Sequence, residues 1–278
     1  MNATSFNRLR GTRAVRTSVL ACMTAIPCIA HAQTDLTGSS RLLGDRTEIT
    51  AGAAAVAAPE YAGAERARVQ FNPVLVVQRG VLFFDTARGA GLQFQSNSGF
   101  YISQSLYYDL GRLQSDSNWR SGSRLLAGMG DVPGSVTART LVMQQVTPYM
   151  NVNAEAECAL RDTARRNRYR AGVEFTLLHR TSDTVTLDLD VHGGDHRFNQ
   201  ASFGVTDAQA ERTRFAAFNA GSGVYAAVVG GSWTHSVGDH WATTLGVTGT
   251  RYLDNAEDSP LVARRAVVGG TFALTYSR

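Results

Sequence analysis

Between Thr184 and His192 the chain reads Thr-Val-Thr-Leu-Asp-Leu-Asp-Val-His. Val185, Leu187, Leu189 and Val191 fall in one register; Thr184, Thr186, Asp188, Asp190 and His192 fall in the other. Side chains of a strand point alternately to its two faces, so this segment forms a ribbon with one oily and one wet, charged face. The repeat recurs. Met150, Val152, Ala154, Ala156 and Cys158 alternate with Asn151, Asn153, Glu155 and Glu157. Tyr169, Ala171, Val173, Phe175 and Leu177 alternate with Arg170, Gly172, Glu174 and Thr176. Weaker versions occupy 47–58, 68–78, 99–110, 135–146, 223–236, 241–252 and 262–276, and 81–86 and 89–95 form either two short strands or one bent strand.

Most of these segments run about ten residues, the length a tilted strand needs to cross a bilayer; strands of soluble proteins are nearer five or six. A sheet with one oily face can line a soluble sandwich or close into a barrel that turns that face to lipid. No segment after the leader offers the long uncharged apolar run of a membrane helix, so a membrane-spanning form must be a closed sheet, which alone leaves no backbone edge unpaired in lipid. The expected fold class is therefore all-β, a transmembrane antiparallel up-and-down barrel over 47–278, of twelve strands if 81–95 holds two of them and of ten if the early region packs differently. Connections alternate between tight turns (96–98, 181–183, 237–239) and long loops (111–134, 160–168, 193–222, 253–261), which places the turns in the periplasm and the loops outside. Tyr101, Tyr107, Tyr108, Tyr149, Tyr169, Trp233, Trp241, Tyr252 and Tyr276 mostly fall near strand ends, as aromatic girdles would.

The first 32 residues read as a secretory signal peptide. Arg8, Arg10, Arg13 and Arg16 precede a short apolar stretch, and Ala30-His31-Ala32 fits the small-x-small cleavage rule. Residues 33–46 would then be an N-terminal periplasmic segment. Removing the four leader arginines from 27 basic residues leaves 23, equal to the 23 acidic ones, so no basic surplus points to nucleic acid. Cys22 and Cys28 leave with the leader, and Cys158 alone cannot form an internal disulfide.

Five short motifs follow in order along the chain: Pro59-Glu60-Tyr61-Ala62-Gly63, Tyr108-Asp109-Leu110-Gly111-Arg112, Gly128-Met129-Gly130-Asp131, Ser202-Phe203-Gly204-Val205-Thr206 and Ala256-Glu257-Asp258-Ser259-Pro260-Leu261-Val262. In order and spacing the set resembles the MipA/OmpV family of outer-membrane proteins. The resemblance implies an outer-membrane barrel. It also implies a non-catalytic scaffold joining a murein hydrolase, of the lytic transglycosylase class, to a bifunctional penicillin-binding protein. The chain departs from the family in ending Tyr276-Ser277-Arg278 rather than on an aromatic residue.

Glu155, Glu157, Arg170, Glu174, Asp188 and Asp190 are the candidate site residues. All lie on the wet faces of adjacent strands, where paired carboxylates could hold a cation or do acid–base work. The simpler reading is a charged lumen whose side chains pair across strands. His192-Gly193-Gly194-Asp195-His196 has two histidines four apart, but a glycine-rich loop does not fix them as metal ligands, and further ligands are not evident. Ser236 and His240 are the nearest approach to a hydrolase pair, at a turn and without a nucleophile elbow. No catalytic, cofactor or metal site is therefore expected; the expected partners are outer-membrane lipid and, as the resemblance implies, a murein hydrolase and a penicillin-binding protein. A scaffold is the leading function; a narrow pore for small polar solutes and an outer-membrane lipid hydrolase are the alternatives.

Overall fold

The computed structural model describes residues 42–161 and 167–278; the signal peptide, and residues 33–41 of the proposed periplasmic segment, lie outside the described residues. Among the described residues, the strands run β1 (Glu48–Pro59), β2 (Ala67–Arg79), β3 (Leu82–Asp85), β4 (Gly89–Gln95) and β5 (Phe100–Asp109). A two-strand loop element, β6 (Arg112–Leu113) and β7 (Ser121–Gly122), separates these from β8 (Ser135–Thr147), β9 (Met150–Ala159) and β10 (Asn167–His179). The chain ends with β11 (Asp183–Gly194), β12 (Gly223–Val237), β13 (Trp241–Tyr252) and β14 (Ala266–Ser277). All except β6 and β7 form one closed, twelve-stranded barrel in which sequential neighbours pair antiparallel and β1 pairs β14. The region 81–95 holds two strands.

The closing seam is built of small residues. The run Ala51-Gly52-Ala53-Ala54-Ala55 on β1 faces β14, and a Cβ on Gly52 would lie 2.1 Å from the Leu274 carbonyl oxygen, so glycine lets the two backbones meet. The dyad repeat runs along the strands, interrupted at bulges in β8, β10 and β11–β12. Leu189 and Val191 are exposed on the outer wall, whereas Asp188 and Asp190 are only 6 % and 4 % exposed, inside. The outer wall also carries Val69, Phe71, Leu106, Leu177, Leu245, Val247 and Val268, an apolar surface that only lipid would cover. Cys158 lies on this outer face.

The tight turns at 96–99, 148–149, 180–182 and 238–240 gather at one end with the start of β1 and the end of β14, and the long loops gather at the other. One connection breaks the alternation. Thr86-Ala87-Arg88 joins β3 to β4 at the long-loop end in a tight turn, fastened by Asp85, whose carboxylate accepts from the backbone of Ala87 and from Arg88 at 2.7 Å. With β3 only four residues long, the wall is low here. β2 pairs with β3 only through 76–79. Above that, among the described residues, only Thr86 bonds its edge, at Pro73 and Leu75. Since the Pro73 carbonyl points to this unpaired side, so would its missing N–H, and the proline costs no ladder bond.

Two sequence expectations are corrected. The last strand begins at Ala266, not 262, because Leu261 and Val262 are drawn into apolar clusters of the loops. The aromatic girdle is incomplete. Tyr108, Tyr149, Tyr169, Trp233, Trp241 and Tyr276 face outward, but Tyr101, Tyr107 and Tyr252 turn inward, where Tyr101 donates to Gln93 at 3.0 Å and Tyr107 underlies the Arg139 guanidinium.

Candidate functional site: a charged lumen beneath a loop lid

Because β8 to β11 pair in register, their inward side chains fall in rows across the wall. Nearest the long loops, Arg139, Glu157 and Arg168 are aligned; next come Leu141, Glu155, Arg170 and His192. Then follow Met143, Asn153, Gly172 and Asp190, and lastly Gln145, Asn151, Glu174 and Asp188, towards the turns.

The upper two rows are held by ion pairs. Glu157 accepts from Arg139 at 2.7 Å and from Arg168, and Glu155 lies 3.4 Å from both Arg139 and Arg170. Arg170 also approaches Asp190 at 3.8 Å. Position 172 has no room for a Cβ, which would come within 2.7 Å of the Leu189 carbonyl oxygen and 2.0 Å of Asp190 Oδ1. In the lowest row Asn151 donates to Glu174 at 2.9 Å. The structure thus brings all six candidate residues together on one inner wall, each at most 9 % exposed. Sequence reasoning missed two members. Arg168 sits two residues before Arg170 and so shares its face by parity alone; Arg139 needed the β8–β9 register, which no single segment reveals.

The other candidates separate. His192 faces inward with Nδ1 3.5 Å from the Tyr225 hydroxyl. His196 opens helix α1 (His196–Phe203), its ring bonding the Ala220 carbonyl at 3.0 Å, while Asp195 is the N-cap that accepts from the Phe198 amide at 2.7 Å. The motif read as a possible metal site is thus a strand end running into a capped helix. His240 Nδ1 bonds the Ser277 carbonyl at 2.9 Å and no bond joins it to Ser236, so no nucleophile–base pair forms there.

Four long loops pack on one another over the opposite end of the lumen. Tyr61 and Ala64 of the β1–β2 loop meet Leu126 and Met129 of the β5–β8 loop, Val205 and Phe215 of the β11–β12 loop, and Leu261 of the β13–β14 loop. Beneath them Phe203 lies between Tyr225 and Tyr252, with ring centroids 5.4 and 5.9 Å away. Polar bonds knit the loops: Gly63 N–H to the Tyr252 hydroxyl at 2.9 Å, Ser259 to the Phe203 carbonyl at 2.5 Å, Gln209 to the Met129 carbonyl at 2.6 Å, and Arg112 to the Ser202 carbonyl at 3.0 Å. Gly63, at φ +81°, lies against Val262 with no room for a Cβ. Burial in this lid raises the pKa of Tyr61, partly offset by Arg214 and Arg112. At the rim, bonds from the Arg124 backbone and guanidinium hold the Asp116 carboxyl below its ordinary value.

The five motifs singled out in the sequence therefore supply much of the lid: Tyr61, Gly63, Arg112, Met129, Ser202, Phe203, Val205, Ser259 and Leu261. Residues 51–278 match the family described as MltA-interacting protein MipA. The chain belongs to the MipA family. It is an outer-membrane β-barrel, as its lipid-facing apolar wall requires. No curated protein matches the chain. Among solved structures it is similar to the NanC porin in a rhombohedral crystal form, at 5 % identity over 84 % of this chain and 98 % of that one, with TM-score 0.37. It is also similar to OprB of Pseudomonas putida at high pH, at 10 % identity over 76 % and 58 % with TM-score 0.39. A third likeness is to the CymD monoaromatic hydrocarbon channel, at 9 % identity over 84 % and 88 % with TM-score 0.39.

Proposed function

We propose that this MipA-family barrel is a non-catalytic scaffold that ties peptidoglycan-processing enzymes, a murein hydrolase and a penicillin-binding protein, to the outer membrane. The observation that carries the reading is the four-loop lid, fastened by apolar packing and hydrogen bonds above a lumen with ion pairs along one wall. A barrel built this way is stiff and capped on its outer side, and its turn-side face is left to meet periplasmic proteins. The family's description as MltA-interacting supports a partner of that class. Ser236 and His240, which do not bond each other, give a lipid hydrolase no support.

The test uses the full-length protein purified in detergent. Immobilised barrel is expected to retain a purified lytic transglycosylase and a purified bifunctional penicillin-binding protein, and inserted barrel is expected to leave planar bilayers electrically silent. Failure to retain either enzyme, together with steady conductance, would replace the scaffold with a narrow channel for small polar solutes.

A further inference from the structure

We infer that the two acidic rows of the lumen hold a hydrogen-bond-donating cation, either a hydrated divalent metal ion or a small ammonium group. Glu174, Asp188 and Asp190 lie on the adjoining strands β10 and β11, and among the described residues only Arg170 of the wall's cations reaches any of them, Asp190 at 3.8 Å. Arg139 and Arg168 bind Glu157, and Arg170 is shared between Glu155 and the more distant Asp190. Asp188 has no ion pair and no hydrogen bond among the described residues, although it is 6 % exposed.

A second observation is independent of the charges. Asn153 is 8 % exposed, faces the same space one strand from Gly172, and makes no side-chain hydrogen bond among the described residues. Asn151 Oδ1, Asn153 Oδ1, Glu174 Oε2, Asp188 Oδ2 and Asp190 Oδ2 are all buried without a hydrogen-bond partner. Buried polar atoms are nearly always bonded, so a group of orphans concentrated in two neighbouring rows calls for a reason. All five are acceptors. No side-chain donor among the described residues bonds any of the five, and the neighbouring hydroxyls are paired with each other, Thr186 with Ser232 at 2.9 Å and Thr234 with Thr244 at 2.8 Å. Space is left next to Asp188, where the neighbouring strand carries Gly230 and a Cβ would still sit 3.4 Å from Oδ2.

Oxygen-only ligation by carboxylates and amide carbonyls is the chemistry of hard cations. No three His, Cys, Asp or Glu side chains among the described residues are arranged to grip a bare ion. The occupant therefore reaches the oxygens through its own donors, as the water shell of Mg²⁺ or Ca²⁺ does, or as the N–H groups of an alkylammonium do. The inference goes beyond the scaffold reading and does not depend on it, since a barrel that captured no murein enzyme would present the same oxygens.

The full chain, purified in detergent with chelator and dialysed, is melted in Mg²⁺, Ca²⁺, methylammonium or tetramethylammonium chloride at matched ionic strength. Tetramethylammonium carries the charge without a donor. The expected result is a higher melting midpoint with Mg²⁺ and Ca²⁺, or with methylammonium, than with tetramethylammonium; which of the two arms responds identifies the source. The variant Glu174→Gln/Asp188→Asn is expected to melt above the wild type when no donor cation is present, because repulsion is relieved. Its affinity for the responding cation should fall about tenfold or more, the change that follows from losing hydrogen bonds to charged groups. Equal midpoints in all four salts, or a variant that keeps the donor-specific rise, overturns the inference. Should the double variant not refold, Asp188→Asn alone is read against the same two outcomes, and the wild-type comparison needs no variant.

Discussion

Glu157 is the acid around which the upper lumen is organised, since its two carboxylate oxygens serve Arg139 on one side and Arg168 on the other. Removing one member of a buried ionic group leaves the rest uncompensated, which costs more than the intact pair contributes. Glu157→Gln is therefore expected to destabilise the barrel by about 3 kcal/mol, measured by urea unfolding in lipid vesicles; an unchanged midpoint would mean that water already screens the two arginines. Tyr61 sets a pH dependence of opposite origin. Its pKa is raised by burial, so its contribution to the lid is complete below the ordinary tyrosine value of 10.0 and is lost as pH climbs through the raised one. Loop cleavage by a protease active in alkali should increase over that window in the wild type and rise less steeply in Tyr61→Phe, with each sample's cleavage normalised to its own value at neutral pH. At this scale the sequence was readable where parity suffices. It places Glu155, Glu157, Arg170, Glu174, Asp188 and Asp190 on wet faces, but ion-pair partners depend on register between strands, and nothing within its own segment marks Arg139.

β2 shows how an element is completed by a loop. Its upper edge lacks a strand partner because β3 is short, and the β5–β8 loop is strapped to it from inside. Arg68 donates to the carbonyls of Ser117 and Arg120, and Gln70 donates to that of Asn118 at 3.1 Å. Arg68→Ala should release residues 117–120 and speed proteolysis within 110–134, while the unfolding free energy of the barrel stays within about 1 kcal/mol of the wild type. Protection unchanged on a gel time course would show that the lid contacts at Leu126 and Met129 hold the loop unaided. Strands of ten or more residues were legible because many alternations accumulate in each. The ends were not. Val262 continues the alternation of the final strand, yet it packs against the lid, since tertiary burial outweighs a local pattern. The four-residue β3 carried too few alternations to be told from a bend.

For the whole molecule, the lid and the wall should be separable. Replacing 195–222 by a short glycine-serine connection deletes Phe203, Val205 and Phe215 from the lid but leaves β11 and β12 free to pair. The shortened barrel is expected to migrate as a folded, heat-modifiable species and to pass small ions across a planar bilayer; silence would mean that the lumen side chains seal it without help. The closed sheet, with its long loops gathered at one end, could be read from the amino acids, because lipid imposes a common repeat on its strands. The lid could not, since Tyr61, Met129, Phe203 and Leu261 stand far apart in the chain and each looks like an isolated apolar residue in a polar loop. The low wall at β3 has a last consequence for the surrounding membrane. Four residues rise only about 13 Å, roughly 3.3 Å each, against several times the residues in β1, β2 or β12. Acyl chains beside that hairpin must shorten or splay to match it, so the protein would press a one-sided dent into its leaflet and lean towards it.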